Sequence, residues 1–318
     1  MMNFITAMPG LLQSSAELGL ITALVVLALY LSYTMLNICD LSTDGVVTLG
    51  AAVGAMVALS GHPFLAIFAA IGAGMLSGVL TAFLQTKMGI NSLLAGIVVN
   101  TGLYSVNIFI MGNSSLVSLN KADTVFTMAK DLLKDTFLAP YSKLLVIVLF
   151  VAVAALFLTL FLRTRLGLAL RATGNNPDMV RSSSVNTTII TIIGLALANG
   201  LTALSGCLLA QYNKSADINI GTGLLTVALA SLLIGGMFFK KKGVGLGTVG
   251  AIIGAFLFRL IYAIALEFHM PAFLLKLISS VIVIIAIAGP YLFKAGKENI
   301  AREKSRKALM NCGEGGEK

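Results

Sequence analysis

The stretch RTRLGLALRATGNNPDMVRSSSVN, Arg163 to Asn186, is a cationic island in an apolar chain, with four arginines against one aspartate. Apolar runs flank it at about 143–163 and 188–210, each close to the roughly 20 residues that cross a hydrocarbon core. A basic, helix-forming segment between two such runs is a loop between membrane spans. That reading sets the class: an all-α polytopic membrane protein.

Composition agrees. Of 318 residues, 58% are hydrophobic and 11% charged, whereas soluble domains are about a quarter charged. Apolar segments fall near 17–36, 45–60, 64–86, 92–112, 143–163, 188–210, 223–239, 246–267 and 271–291, about nine in all by hydropathy windows. The second and seventh are short and rich in Gly and Thr. Three domains result: an N-terminal segment 1–16 on the extracellular side, a transmembrane domain 17–293, and a basic cytoplasmic tail 294–318. Within the transmembrane domain lie the external loop 113–142 and the cytoplasmic loop 164–187. The start, MMNFITAMPG, lacks a basic n-region and reads as retained rather than as a cleaved signal.

The formal charge of +9 is a topology signal and not a nucleic-acid footprint. With the C-terminus cytoplasmic and the N-terminus outside, fifteen bases fall inside and five outside, the bias expected of cytoplasmic loops. The inner set is Lys87, the four arginines of 163–181, Lys240 to Lys242 and seven bases after Phe293. Arg259 and Lys276 fall within spans. On the outer side, VFTMAKDLLKDTF (125–137) places Val125, Phe126, Ala129, Leu132, Leu133 and Phe137 at helical spacing. It is a helix lying on the membrane surface, a docking surface for an external partner, or both.

Asp44-Gly45-Val46-Val47-Thr48 reads like Thr222-Gly223-Leu224-Leu225-Thr226, and the next span in each case carries Gly-x3-Gly, Gly74/Gly78 and Gly250/Gly254. The matching segments stand five spans apart, hence in opposite orientation. Inverted repeats with short helices at matching positions mark a transport pathway at their interface.

Candidate path residues follow. Asp40, Thr43, Asp44 and Thr48 surround the start of the short second segment, one aspartate reading as a helix cap and the other as part of a vestibule. Asn100, Tyr104 and Asn107 share one face of the fourth span, and Asn199, Thr202 and Gly206 one face of the sixth. Such stripes form either a solute path or a packing interface. Arg259, near the middle of the eighth span, must meet an acid, a carbonyl or water.

No catalytic constellation is visible. GLGTVG (245–250) matches a dinucleotide fingerprint but opens a membrane helix with no strand before it. KKKG has phosphate-loop residues in the wrong order, and His62 and His269 both border outer loops. Cys39, Cys207 and Cys312 are too far apart for a zinc or disulfide pattern.

In the opening stretch Asn176 suits an N-cap, Pro177 the first helical position and Asp178 the positive end of the dipole. A short cytoplasmic helix results, of the kind that can plug into a soluble motor. With no nucleotide site in the chain, ATP would be hydrolysed by a partner. The rival is a stand-alone secondary carrier or channel for a small polar solute. It would ordinarily need a mid-membrane carboxylate relay, and the acids here lie near span ends.

RATGNNPDMVRSSSVNT (171–187) resembles the cytoplasmic loop of ABC importer permeases of the branched-chain amino acid and ribose type. CDLSTDGVVTLGAAVGA (39–55) and GLALANGLTALSGCLLAQYNKSADINIGTGLLTVALASLLIG (194–235) resemble the bacterial subgroup associated with tryptophan and tyrosine uptake. The likeness covers most of 17–291 and is most specific over 171–235. It implies a type II importer permease fold in the bacterial plasma (inner) membrane. The implied partners are a second permease chain in a homodimer, two cytoplasmic ATPases that bind ATP and Mg2+, an extracellular solute-binding protein, and lipid. The chain would hold no cofactor of its own and no nucleic acid, and the solute would be an amino acid, aromatic favoured. The family's coupling helix carries over to Asn175, Asn176, Pro177, Asp178, Met179 and Arg181. Its path, lined by the second and seventh segments, carries over to Asp40, Thr43, Asp44, Thr48, Asn219 and Thr226. At Gly236-Met237 the chain departs from the family, where an acid after the glycine is expected.

Overall fold

In a computed structural model the described residues are 2–132, 134, 141–239, 243–267 and a few isolated positions between 277 and 288. The ninth apolar segment, Lys276, Lys240 to Lys242, His269 and the tail 294–318 lie outside the described residues or nearly so.

Eleven helices are described. α1 (Met2–Leu29) runs into a π-helical turn, Tyr30–Met35, and then an unwound connection, 36–42. α2 (Thr43–Leu59), α3 (Pro63–Thr86) and α4 (Ser92–Ile110) follow, then strand β1 (Leu116–Ser118) and α5 (Val125–Leu132). α6 (Ser142–Arg163), α7 (Arg165–Asn175), α8 (Pro177–Ser182) and α9 (Thr187–Asn213) lead to β2 (Ser215–Asp217), α10 (Leu224–Phe239) and α11 (Val244–Glu267). Six helical segments are long and apolar enough to cross a membrane among the described residues, and α2 and α10 are apolar but shorter. The first eight expected segments thus each have their helix. Residues 2–16 of the segment set apart on sequence belong to α1, which begins at Met2 and runs on without a break.

Local chemistry sets the boundaries. Asn91 and Asn186 cap α4 and α9 by accepting backbone N–H groups with their side chains, which satisfies donors the helix cannot. α9 ends at Lys214 in the left-handed conformation, φ 54°. β1 and β2 pair antiparallel, Val117 opposite Ala216, and tie the connection after α4 to that after α9. This β end of the bundle lies opposite the end that carries α7 and α8.

The repeat is visible as packing. α9 lies along α2 and α3, and α1 lies along α10 and α11. Each short-helix pair is therefore completed by a long helix from the other half. Glycines permit the close crossings: Gly50 of α2 abuts the Ala203 backbone of α9, and Gly206 of α9 abuts Val47 of α2. The two Gly-x3-Gly pairs have different partners. Gly74 and Gly78 seat α3 on Asn199 and Leu195 of α9, whereas Gly250 and Gly254 seat α11 on Gly235 and Ser231 of α10. The motif licenses close approach but does not choose the neighbour.

Candidate translocation site at the meeting of two helix N-termini

α2 and α10 start at the same place. Asp44, in the first turn of α2, accepts the Gly223 N–H on Oδ2 at 2.9 Å and the Leu225 N–H on Oδ1 at 2.8 Å. One carboxylate thus satisfies two donors at the start of α10, where the helix dipole also favours negative charge. Of the two aspartates, Asp44 is the cap, and the helix it caps is α10 rather than its own. Gly223 sits at φ 82°, a left-handed geometry that glycine adopts without penalty. Gly221 packs on the Asp44 carbonyl, where a Cβ would collide. The Thr48 hydroxyl reaches the Asp44 carbonyl at 3.1 Å and the Ile218 carbonyl at 3.5 Å. The two repeat motifs therefore meet each other. The symmetry is broken in one respect: Thr222, the counterpart of Asp44, bonds locally to the Asn219 carbonyl.

The junction lies at mid-depth. Asn199, near the centre of α9, donates through Nδ2 to the Ser42 hydroxyl at 3.4 Å, so the start of α2 is level with the middle of a spanning helix. Gly45 lies beside the Asn100 amide oxygen, and its carbonyl accepts from Asn107 Nδ2 at 3.2 Å.

The sequence-selected residues divide in two. Asp44 and Asn100 are half-buried, and Tyr104, Asn219 and Thr226 are exposed, so these five border the chain's surface around the junction. Asp40, Thr43, Thr48 and Asn199 are buried behind it. Arg259 stands apart: its guanidinium lies 5.2 Å over the ring of Tyr262, one turn on in the same helix, and its Cβ flanks Gly19 of α1. It lies beyond the middle of α11, towards the β end, and makes no ion pair among the described residues. A face-on aromatic ring is a cation's apolar partner.

Sequence reasoning passed over Glu17. It is 4% exposed, and its carboxylate accepts from the Tyr212 hydroxyl at 2.8 Å and from Gln13 Nε2 at 3.1 Å. The Tyr212 ring also meets Phe126 of α5 in a T-shaped contact and carries Lys143 Nζ at 5.0 Å. Beside it, Gln211 accepts the Val125 N–H at 3.0 Å and donates to the Pro63 carbonyl at 3.5 Å. The base of α5 is thereby pinned to the bundle. Leu132, expected on its apolar face, is 84% exposed, whereas Val125 and Phe126 are buried and Ala129 packs against the core.

At the other end, Asn176 Oδ1 accepts the Asp178 and Met179 N–H groups, both at 3.1 Å, and Pro177 opens α8. Val180 is buried, while Asn175, Asn176, Pro177, Asp178 and Met179 face outward. Arg181 Nε donates to the Thr187 hydroxyl at 3.1 Å, fastening α8 to α9. Gly174 of α7 packs directly on the Met35 carbonyl and the Leu36 backbone, with no room for a side chain. The loop helices therefore rest on the end of α1, from which the connection 36–42 leads to Asp44.

Two short helices thus meet head to head inside a bundle of crossing helices. The model of the branched-chain amino acid transport system permease component matches residues 11–288. The chain belongs to this permease family. It is 34% identical over 304 residues to a tyrosine transport system permease protein of Clostridioides difficile (strain R20291), covering 95% of this chain and 97% of that one. It is 35% identical over 283 residues to an uncharacterized protein of Rickettsia prowazekii (strain Madrid E), covering 88% and 97%. The galactose/methyl galactoside import permease protein MglC of Salmonella typhimurium is 30% identical over 200 residues, 61% of this chain and 56% of that one. No solved structure matches. The permease is thus a membrane component of an ABC-type transport system.

Proposed function

We propose that this permease imports an aromatic amino acid, driven by cytoplasmic ATPases that engage α8. The observation that carries the reading is a continuous mechanical connection. The exposed, capped α8 follows α7; Gly174 of α7 bears on Met35 and Leu36; the connection 36–42 begins there; and Asp44 then ties α2 to α10. A push on α8 can therefore reach the junction of the two short helices through the connection 36–42.

Two such chains form the transporter. Polar backbone and side chains at mid-membrane depth must be covered by protein or line a wet cavity. Tyr104, Thr222 and Thr226 are exposed beside Asp44 at that depth, which suits a path closed by a second copy. The β1–β2 ribbon and α5 face outside and receive the solute-binding protein, the C-terminus is cytoplasmic, and ATP and Mg2+ belong to the ATPase. The aromatic solute is supported by the tyrosine permease matched over nearly its whole length.

The test is reconstitution of the purified permease with its co-purifying ATPase and binding protein, followed by uptake of labelled tyrosine and tryptophan. ATP-dependent uptake that saturates with binding protein is expected. Uptake driven by an ion gradient without ATP would overturn the reading.

A further inference from the structure

Asp40 lies in the connection 36–42 and is 1% exposed. Its depth is fixed by its neighbours, since Ser42 and Asn199 face the same carboxyl group and Asn199 is at the centre of α9. Oδ1 accepts the Ser42 N–H at 2.9 Å, and the Asp40 carbonyl holds the Thr43 hydroxyl at 2.9 Å. Oδ2 is fully buried and has no partner in hydrogen-bond geometry among the described residues.

Among the described residues no counter-charge offsets it. α3, α4, α9 and α10 contain no Asp, Glu, Lys, Arg or His, and α2 contains only Asp44, which is committed to α10. α1 offers Glu17, near the far end of the bundle and held by Tyr212, and the π-helical turn after it offers Tyr30 and Tyr33. α7 offers Arg171, whose charge acts on Tyr30. On the connection itself the one titratable neighbour is the Cys39 thiol. An ionised carboxylate removed from water, which faces the Ser42 N–H, the Ser42 hydroxyl and the Asn199 amide but no cation among the described residues, is disfavoured. A neutral acid is not, and its proton gives Oδ2 a donor to direct at the Ser42–Asn199 pair.

We propose that Asp40 is a proton-binding site, a neutral carboxylic acid while the α1–α2 connection is packed, which ionises only when that connection opens to water. On opening, the O–H bond breaks, its electron pair stays on the carboxylate and the proton passes to solvent. This inference does not depend on the transport reading.

The test is infrared spectroscopy of the full-length chain in lipid nanodiscs, with isotope-labelled aspartate, titrated in pH. A protonated-carboxyl stretch present at neutral pH and lost in Asp40→Asn is expected. Its absence at neutral pH, or its retention in Asp40→Asn, overturns the proposal. If that variant fails to fold, Asp40→Glu, which moves the acid out of the aspartate label, replaces it and must also lose the labelled band. Amide hydrogen exchange over 36–42, corrected for intrinsic rates, reads the opening. Protection should fall in the pH range where the band vanishes; a band that vanishes with protection unchanged overturns the link to opening.

Discussion

The Asp44 carboxylate accepts the Gly223 N–H at 2.9 Å across 179 residues of sequence. With the Leu225 bond, it joins the two halves of the chain at the point where their short helices begin. A charged acceptor on backbone donors is among the stronger hydrogen bonds in a protein, and here it reinforces the Gly221 and Thr48 contacts between the two segments.

Asp44→Ala should therefore damage both stability and transport. Two donors at the start of α10, one exposed and one part-buried, lose their acceptor, a loss of about 1 kcal/mol as for a removed helix cap. Thermal unfolding of the purified permease should shift down, and uptake should fall at least tenfold. Asp44→Asn retains one acceptor and should lie between. Wild-type stability in Asp44→Ala would mean that the carboxylate does not hold the helices.

Gly174 tests how motion passes from α7 to α1. A side chain there has nowhere to go except into the Met35 carbonyl and Leu36. Gly174→Val should leave the partner ATPase bound and hydrolysing while uptake is largely lost, an uncoupled phenotype. Parallel loss of ATPase binding would instead place the defect in α8 itself. The measurement is ATP hydrolysed per solute taken up.

The cap of α8 is a matter of local stability. Asn176→Ala removes the acceptor for the Asp178 and Met179 N–H groups, which costs about 1 kcal/mol of helix stability. In a helix of six residues that is enough to unravel it. Co-purification of the ATPase should weaken severalfold, and Asn176→Ser, another good cap, should restore it. An alanine variant that binds the ATPase normally would show that α8 is not the docking element.

The short second and seventh segments, the capped α8 and the class of fold are written in hydropathy and in Asn, Pro and Gly, because these act over a few residues. Whatever depends on distant partners is not. Nothing near Asp44 announces that its helix to cap is α10, and Gly74/Gly78 looks like Gly250/Gly254 although one faces α9 and the other α10. Glu17 was hidden because it sits at the edge of an apolar run and reads as a boundary residue. Its burial depends on Tyr212, 195 positions away. Arg259 found Tyr262, a partner at helical spacing that the sequence could have offered had rings been weighed along with acids.

Tyr212 gathers several elements on one ring: its hydroxyl serves Glu17 of α1, its face Lys143 of α6 and its edge partner Phe126 of α5. Tyr212→Phe preserves the ring contacts and deletes the hydroxyl, so among the described residues Glu17 keeps the Gln13 donor alone. A buried carboxylate that loses a donor costs about 1–3 kcal/mol, and the inactivation half-life in detergent should shorten several-fold. Glu17→Gln in the same background should recover most of the loss, because a neutral amide in that pocket needs fewer donors. If the double variant is as unstable as the single one, the hydroxyl matters for something other than Glu17.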